Sequence, residues 1–327
     1  MSEYRYTFKK LIRDWALIIA MIVGASAYLI YHYWLPGLHV AGPALEVVMS
    51  NLQPFLLFCM LFLSFCKIEP HQMRPHKWMV WLLLLQCGLF ALLALLLVFV
   101  PEMPWRYGIE AAMLCIICPT ATACAVVTGK LGGNIAGVVT YTVLINIATA
   151  ILVPLVVPLI HPMDGMSFST AFLKILGKVF PLLIMPCLSA WLVRYLLPKL
   201  HKWLLQYTDL SFYIWAVSLT FAVLMSTRAI VQNESGAGVL VEICIASIVT
   251  CALQFYLGRQ IGKRYSCKIS AAQSLGQKNT VFAIWMGYTF MTPVVSVAGG
   301  FYSIWHNCYN TYQMYRKRKA DEAKKKN

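Results

Sequence analysis

Ten long apolar stretches dominate this chain and most constrain what it can fold into. Each is long enough to cross the hydrocarbon core of a bilayer as an α-helix, which takes about 20 residues. Hydrophobic residues make up 60% of the 327 residues and charged residues only 12%, so we predict an all-α polytopic membrane protein. The predicted spans, numbered 1 to 10, lie near residues 15–34, 43–66, 78–100, 107–129, 134–160, 170–197, 208–232, 238–262, 269–289 and 293–315.

The basic residues are concentrated on one side of these spans. The formal net charge is +15, and most basic residues precede span 1 or follow spans 2, 4, 6, 8 and 10. This distribution follows the positive-inside rule and places both termini in the cytoplasm, with an even number of spans. Membrane orientation therefore explains the charge, and we expect no nucleic-acid partner. We expect an integral protein of a bacterial inner (plasma) membrane, whose oligomeric state the sequence leaves open.

The two ends of the chain and its cysteines have simple interpretations. Span 1 is long and flanked like a true span, so we expect it to stay in the mature protein. The basic tail is expected to be solvated, with anionic lipid as an alternative partner. Most of the eleven cysteines lie in apolar spans, where cysteine packs as a small hydrophobic residue. Cys115 and Cys118 form a CxxC without a second pair at metal spacing, so we predict neither a metal site nor a cofactor.

Ten spans with both ends on the same side divide into five and five. An odd number of spans per half turns the second half upside down, which is the inverted-repeat plan of secondary transporters. The predicted first repeat holds spans 1 to 4 in residues 1–132, and span 5 with an outer loop in residues 133–165. The inverted second repeat holds spans 6 to 10 in residues 166–315, and residues 316–327 form the basic cytoplasmic tail.

The fourth span of each half, span 4 and span 9, is predicted to be a broken helix. Span 4 contains ICPTATACAVVTGK, in which Pro119 removes a backbone donor. Span 9 is interrupted by a run of glycine and polar residues from 276 to 280. The second part of each broken helix would begin with free backbone amides, which favour an anion. Two such helix starts facing each other near the membrane midplane would form an anion pocket.

Lys278 is the one basic residue that cannot be placed near a membrane surface. It lies in QSLGQKNTVFAIWMGY, an otherwise apolar segment, and a charge at that depth is costly and usually functional. Spans 5 and 10 are rich in polar residues, which predicts a lined cavity beside the broken helices. Spans 7 and 8 are plainer and are interpreted as scaffold.

Several motifs in the expected order resemble the bile acid:sodium symporter family. They are QPFLLFCMLFLSF in span 2, CPTATACAVVTGKLGGN followed by a span with a late PLVVPL, and SLGQKNTVFA with SIWHN near the end. The resemblance implies ten helices in an inverted repeat with two broken, crossing helices. It implies a panel domain of helices 1, 2, 6 and 7 and a core domain of helices 3 to 5 and 8 to 10. It also implies transport of organic anions such as bile acids, pantoate or small carboxylates, typically driven by two sodium ions.

The sodium ligands of the family carry over poorly to this chain. At the positions that the resemblance assigns to the first sodium site, Thr142 remains a candidate ligand, but the acidic ligand has become Ser274 and a polar pair has become Cys124 and Ala125. At the second site Gln86 is kept, while Lys278 stands where the family has a glutamine. Because sodium requires hard oxygen donors, we expect sodium coupling to be weakened or lost.

We interpret Lys278 as a substitute for the second sodium ion, with its ammonium group reaching the same oxygens from within the protein. It is either a fixed charge or a group that gains and loses a proton during transport, because burial disfavours the charged form. The alternative is a structural lysine bonded to carbonyls of the broken helix. The predicted ion-substitute residues are Lys278, Gln86, Ser274, Gln277, Thr142 and Cys124. The positions that match the substrate cavity of the family are Thr122, Asn279, Thr280, His306 and Asn307.

The leading hypothesis is a secondary transporter of an organic anion, either bile-acid-like or a small carboxylate, that works by alternating access. One alternative is a sodium-coupled symporter with substitute ligands such as Gln273 and Gln277. A different class is a membrane receptor or sensor that binds a ligand without carrying it across. We predict no enzyme, because Ser303 and His306 lack a carboxylate to orient the imidazole.

Overall fold

The computed structural model of the protein describes residues 2–37, 42–163, 165–207, 210–234 and 236–326. The side chains of residues 2–17, 72 and 323–326 are not among those described. The predicted orientation depends in part on the basic residues before span 1 and on the last lysines of the tail. Their side chains are not among those described. Within the described part, every regular element is a helix.

The α-helices follow one another along the described part of the chain, with short 3-10 segments between some of them. The α-helices are α1 (Ser2–Trp34), α2 (Gly42–Cys66), α3 (Lys77–Phe99), α4 (Arg106–Ile117), α5 (Cys124–Leu131), α6 (Ile135–Ile160), α7 (Phe168–Leu183), α8 (Met185–Leu196), α9 (Pro198–Leu204), α10 (Leu210–Val231), α11 (Ala237–Lys263), α12 (Lys268–Gly276), α13 (Thr280–Phe290) and α14 (Val297–Lys326). Among the 3-10 segments are Pro70–Gln72 and Pro293–Ser296.

Among the described residues, six helical segments are long and apolar enough to cross a membrane. Five of them are the single helices α2, α3, α6, α10 and α11, and the sixth is the continuous segment formed by α7 and α8. The segments Ile18–Trp34 and Thr280–Phe290 are shorter apolar helices. The prediction of an all-helical, polytopic membrane protein is confirmed. The number of ten crossings and the inverted relation of the two halves stay predictions.

The helix boundaries differ from the predicted spans at informative places. Predicted spans 4 and 9 are each two helices, since residues 118–123 separate α4 from α5 and residues 277–279 separate α12 from α13. Predicted span 6 divides into α7 and α8 at Ile184, flanked by Pro181 and Pro186, because proline removes a backbone donor. The predicted tail continues α14 as a helix to Lys326. Ion pairs from Lys317 to Asp321 and from Arg318 to Glu322 fall at the i,i+4 spacing that supports this extension.

Helix packing brings the second broken pair of helices to the centre of the protein. α10 packs on α1 and α2, and α2 packs on α8. α11 packs on α4, α12 and α14, while α6 packs on α3, α5 and α12. These two sets meet where α7 packs on α6 and α13 packs on α10. Every residue from 270 to 287 is buried, so the segment around Lys278 is enclosed by helices.

Close contact between α11 and α12 yields a first prediction. A Cβ added at Gly276 would lie 2.5 Å from the ring of Phe255, which is itself buried. Gly276→Ala should therefore destabilise the protein by about 1–3 kcal/mol, as overpacking does, and lower the thermal unfolding temperature in detergent. Gly300→Ala is the matched control, because a Cβ there meets nothing within 4 Å and should leave that temperature unchanged or slightly raised. Equal unfolding temperatures for the two variants would contradict this packing.

Candidate functional site

The two helix breaks lie against each other and share their backbone hydrogen bonds. Thr120 and Lys278 form an isolated antiparallel β-bridge. The amide of Asn279 donates to the carbonyl of Pro119 at 2.8 Å, and the amide of Ala121 donates to the carbonyl of Gln277 at 2.9 Å. Unwound backbone in a membrane must find partners within the protein. Each break therefore supplies the partners that the other one needs.

The first break has a local cause in Pro119. Proline disfavours the helical conformation of the residue before it, and Cys118 is extended, with φ −50° and ψ 130°. The second break contains no proline, yet Gln277 is also extended, with φ −93° and ψ 101°. Pairing with the first break therefore supports the second one.

Successive carbonyls at the end of α4 each accept a hydrogen bond from a different side chain. Gln254 Nε2 lies 3.4 Å from the carbonyl oxygen of Cys115, and Lys278 Nζ lies 3.0 Å from that of Ile116. The same pattern continues with Thr149 Oγ1, 3.0 Å from the oxygen of Ile117, and Gln86 Nε2, 3.3 Å from that of Cys118. These carbonyls have no partner within α4, because a helix leaves its last four acceptors unbonded.

The end of α12 is satisfied in the same way. The hydroxyl of Thr120 donates to the carbonyl of Ser274 at 2.7 Å, and the hydroxyl of Tyr302 donates to the carbonyl of Gly276 at 2.8 Å. Tyr302 also accepts a hydrogen bond of 3.1 Å from Gln254 Nε2. Gln254 thus bonds the first broken helix directly and is connected to the second one through Tyr302.

Lys278 lies at the centre of this network with only 1% of its surface exposed. Its ammonium group is held at the carboxyl-terminal end of α4, where the helix dipole favours a positive charge. None of the described carboxylates forms an ion pair with it. The buried Glu110 is engaged elsewhere, 2.8 Å from His161 Nε2.

A cavity of about 750 Å³ lies beside the two breaks. The predicted substrate residues all line it: Thr122, Asn279, Thr280, His306 and Asn307. Lys278, Gln277 and Thr142, which were predicted as ion-substitute residues, line it as well. The lining from α2, the residues that follow it, and α10 combines aromatic and polar side chains. The aromatic ones are Phe65, Phe212 and Trp215, and the polar ones are Ser64, Lys67, Glu69 and Ser211.

The remaining predicted ion-substitute residues are placed outside the cavity lining. The carbonyl oxygen of the Gln86 side chain accepts a 2.8 Å hydrogen bond from the hydroxyl of Tyr141, so Gln86 supports the break and does not face Lys278 with a free oxygen. Ser274 is fully buried within α12, and Cys124 is fully buried at the start of α5. The three residues surround the breaks without forming one cluster of oxygen ligands.

Three cavity residues carry buried polar atoms without a hydrogen-bond partner among the described residues. They are Oε1 of Gln277, Nδ2 of Asn279 and Nδ1 of His306. The other end of the Asn279 side chain, Oδ1, accepts from the amide of Phe282 at 3.2 Å and so caps α13. The start of α5 has no side-chain cap. The three residues line the cavity, but their unpaired atoms are buried, so a ligand bonds them only if these side chains turn towards the cavity.

Sequence analysis missed Gln254, Tyr302 and Tyr141, which support the breaks from behind. Gln254 lies in span 8, which was interpreted as scaffold, and it bonds the carbonyl of Cys115 at the first break. A signal was present, because Gln254 is an amide within an apolar helix, as Gln86 is. The two tyrosines gave no such signal, since tyrosine is also a common apolar packing residue.

A comparison with family models places these features in context. Residues 54–234 match the model of the sodium bile acid symporter family. The matched region covers more than half of the chain and includes the break after α4, whereas the break that holds Lys278 follows it. A comparison with curated proteins gave no match.

The side chains that bond the end of α4 can be tested one at a time. Thr149→Val keeps the shape of the side chain but leaves the buried carbonyl of Ile117 without its partner, which should destabilise the protein by about 1–3 kcal/mol. Thr140→Val is the control on the same helix, because the Thr140 hydroxyl bonds the carbonyl of Ala136 within α6, which the helix already satisfies. Thermal unfolding of both variants measures the difference. Equal losses of stability would contradict a special role for Thr149.

Proposed function

Because this chain belongs to the sodium bile acid symporter family, we propose that it carries an organic anion across the membrane with Lys278 in place of a sodium ion. The family consists of transporters, so the chain is an integral membrane transporter and not an enzyme. The substrate, the alternating-access mechanism and the loss of sodium coupling are the proposed parts.

The position of the Lys278 ammonium group is the observation that carries the proposal. It lies 3.0 Å from the carbonyl oxygen of Ile116, at the broken end of α4. Carbonyls of unwound segments and half-helix ends are the groups that hold sodium in transporters with broken helices. An ammonium group supplied by the chain satisfies the same carbonyl without an ion from solution. A cation there also neutralises the negative end of the α4 dipole.

The two walls of the cavity support an amphipathic carboxylate as the substrate. Lys278, Asn279 and His306 form a polar side that offers donors to an anion. Phe65, Phe212 and Trp215 form an apolar side that suits a bulky hydrocarbon skeleton. The volume of about 750 Å³ falls within the range of about 300–1,000 Å³ usual for small-molecule sites. A bile-acid-like anion uses both walls, whereas a small carboxylate leaves the apolar wall unoccupied.

The helix packing supports a two-domain mechanism. In this proposal α1, α2, α7, α8 and α10 form a panel, and α3 to α6 with α11 to α14 form a core of broken helices, making ten crossings as two inverted repeats. The cavity is bounded by α2 and α10 on one side and by α5, α6, α13 and α14 on the other. Movement of the core against the panel would open this cavity to one face of the membrane and then to the other. We assign the protein to a bacterial inner membrane with both termini in the cytoplasm.

A sodium-coupled symporter is the second candidate, and buried oxygens favour it. Ser274 Oγ, Gln273 Oε1 and Gln277 Oε1 have no hydrogen-bond partner among the described residues. Such oxygens are hard donors of the kind that sodium requires. In this alternative they would replace the missing carboxylate, and Lys278 would be a structural residue.

Uptake into proteoliposomes distinguishes the two candidates. The probe is a radiolabelled bile salt, chosen after a thermal-shift screen of bile salts and small carboxylates. Uptake by the wild type should persist when sodium is replaced by choline, because Lys278 already supplies the cation. Lys278→Gln should lose that sodium-independent uptake and should respond to sodium, either in uptake or in thermal stability. Lys174→Gln removes a charge from an exposed position and should behave as the wild type does.

A strict sodium requirement in the wild type would overturn the substitution by Lys278 and would favour the symporter with substitute ligands. The screen itself tests the anion site. If the substrate anion contacts Lys278, its binding to Lys278→Gln should weaken about tenfold or more, as loss of a hydrogen bond to a charged group does. A screen in which no anion stabilises the wild type would contradict the substrate assignment.

A further inference from the structure

The final helix, α14, is longer than a membrane crossing requires. It runs from Val297 to Lys326, a length of about 45 Å at 1.5 Å per residue, whereas the hydrocarbon core is about 30 Å thick. Tyr312 and Tyr315 are half exposed, and tyrosines of this kind mark the membrane–water interface. The basic residues 316–319 follow them directly. This part of α14 therefore lies at the level of the lipid headgroups.

A cleft of about 370 Å³ lies at this level between the end of α5 and the extension of α14. We call it the tail cleft. Its lining comes from one residue at the end of α5 and one face of α14, namely Lys130, Met314, Lys317, Arg318, Asp321 and Glu322. The α14 residues share a face because they are spaced three or four positions apart.

The side chains that line the tail cleft have one net positive charge, because three of them are basic and two are acidic. Lys317 Nζ lies 2.8 Å from a carboxylate oxygen of Asp321, and Arg318 lies 3.9 Å from one of Glu322. Lys130 is exposed at the end of α5, and no described carboxylate pairs with it. The cleft thus offers a single unneutralised ammonium group with two paired cations beside it. A phosphodiester group carries one negative charge and matches this excess.

We propose that the tail cleft binds the headgroup of an anionic phospholipid, with the phosphodiester of a phosphatidylglycerol-type lipid on Lys130. The guanidinium group of Arg318 lies 5.8 Å from the ring centroid of Tyr315, which holds this cation close to the membrane interface. Met314 supplies an apolar surface for the start of an acyl chain. A zwitterionic lipid brings no net charge and lacks this match. The proposed lipid joins α5, which follows the first break, to the extension of α14.

Native mass spectrometry of the purified full-length protein tests the proposal. The protein is incubated with phosphatidylglycerol, phosphatidylethanolamine or phosphatidylcholine of the same acyl chains. Phosphatidylglycerol should be retained preferentially. Lys130→Gln should weaken its retention about fivefold, which is the effect of losing one basic residue near an anionic headgroup. Lys130→Arg should retain phosphatidylglycerol as the wild type does, because it keeps the positive charge.

Lys319→Gln is the matched control, since it removes the same charge from α14 at a position outside the cleft lining. It should retain phosphatidylglycerol as the wild type does. If the Lys130 and Lys319 variants lost equal amounts of bound phosphatidylglycerol, general surface charge would explain the binding and the proposed site would be wrong. Equal retention of the three lipids would overturn it as well. Glycerol phosphate and inorganic phosphate are tested in parallel as soluble ligands. If either raises the thermal unfolding temperature of the wild type but not of Lys130→Gln, the cleft binds soluble phosphate groups instead of lipid.

Discussion

The mutual pairing of two broken backbones is the constraint on which the rest of the structure depends. A helix that unwinds inside a membrane exposes amides and carbonyls that lipid cannot bond. Here Pro119 and Gln277 accept hydrogen bonds from Asn279 and Ala121 of the opposite break. The arrangement keeps an irregular, polar segment at the centre of an apolar protein. It also explains why the surrounding helices carry amides and hydroxyls that point inward.

This requirement connects stability to function through the same residues. Gln254, Thr149 and Gln86 bond carbonyls at the end of α4, and Lys278 does so with a charged group beside the cavity. The first three hold the shape of the break. Lys278 additionally fixes its amino group at the end of α4, beside the cavity. A structural and a functional role are therefore compatible for this lysine, because one hydrogen bond can cap a helix and fix a charge.

The proposed substrate cavity and the tail cleft use charge in different surroundings. The Lys278 ammonium group is enclosed, so its interactions are strong and its position is fixed by neighbouring helices. Lys130 lies at an exposed helix end, where water and salt weaken an individual charge. A lipid headgroup can still be held there, because the cleft adds apolar contact and a fixed position at the interface. The first half of α5 lines the cavity, whereas Lys130 near its end lines the tail cleft.

The sequence by itself determined the membrane class, both helix breaks and the burial of Lys278, because apolar runs, prolines and polar interruptions act locally. It also indicated the residues that line the cavity, through a family resemblance. Only the tertiary structure decided which groups meet. Lys278 bonds Ile116, 162 positions away, and Gln86 is engaged by Tyr141 instead of facing an ion. Such pairings depend on how helices pack, and packing brings together side chains whose spacing along the chain carries no signal.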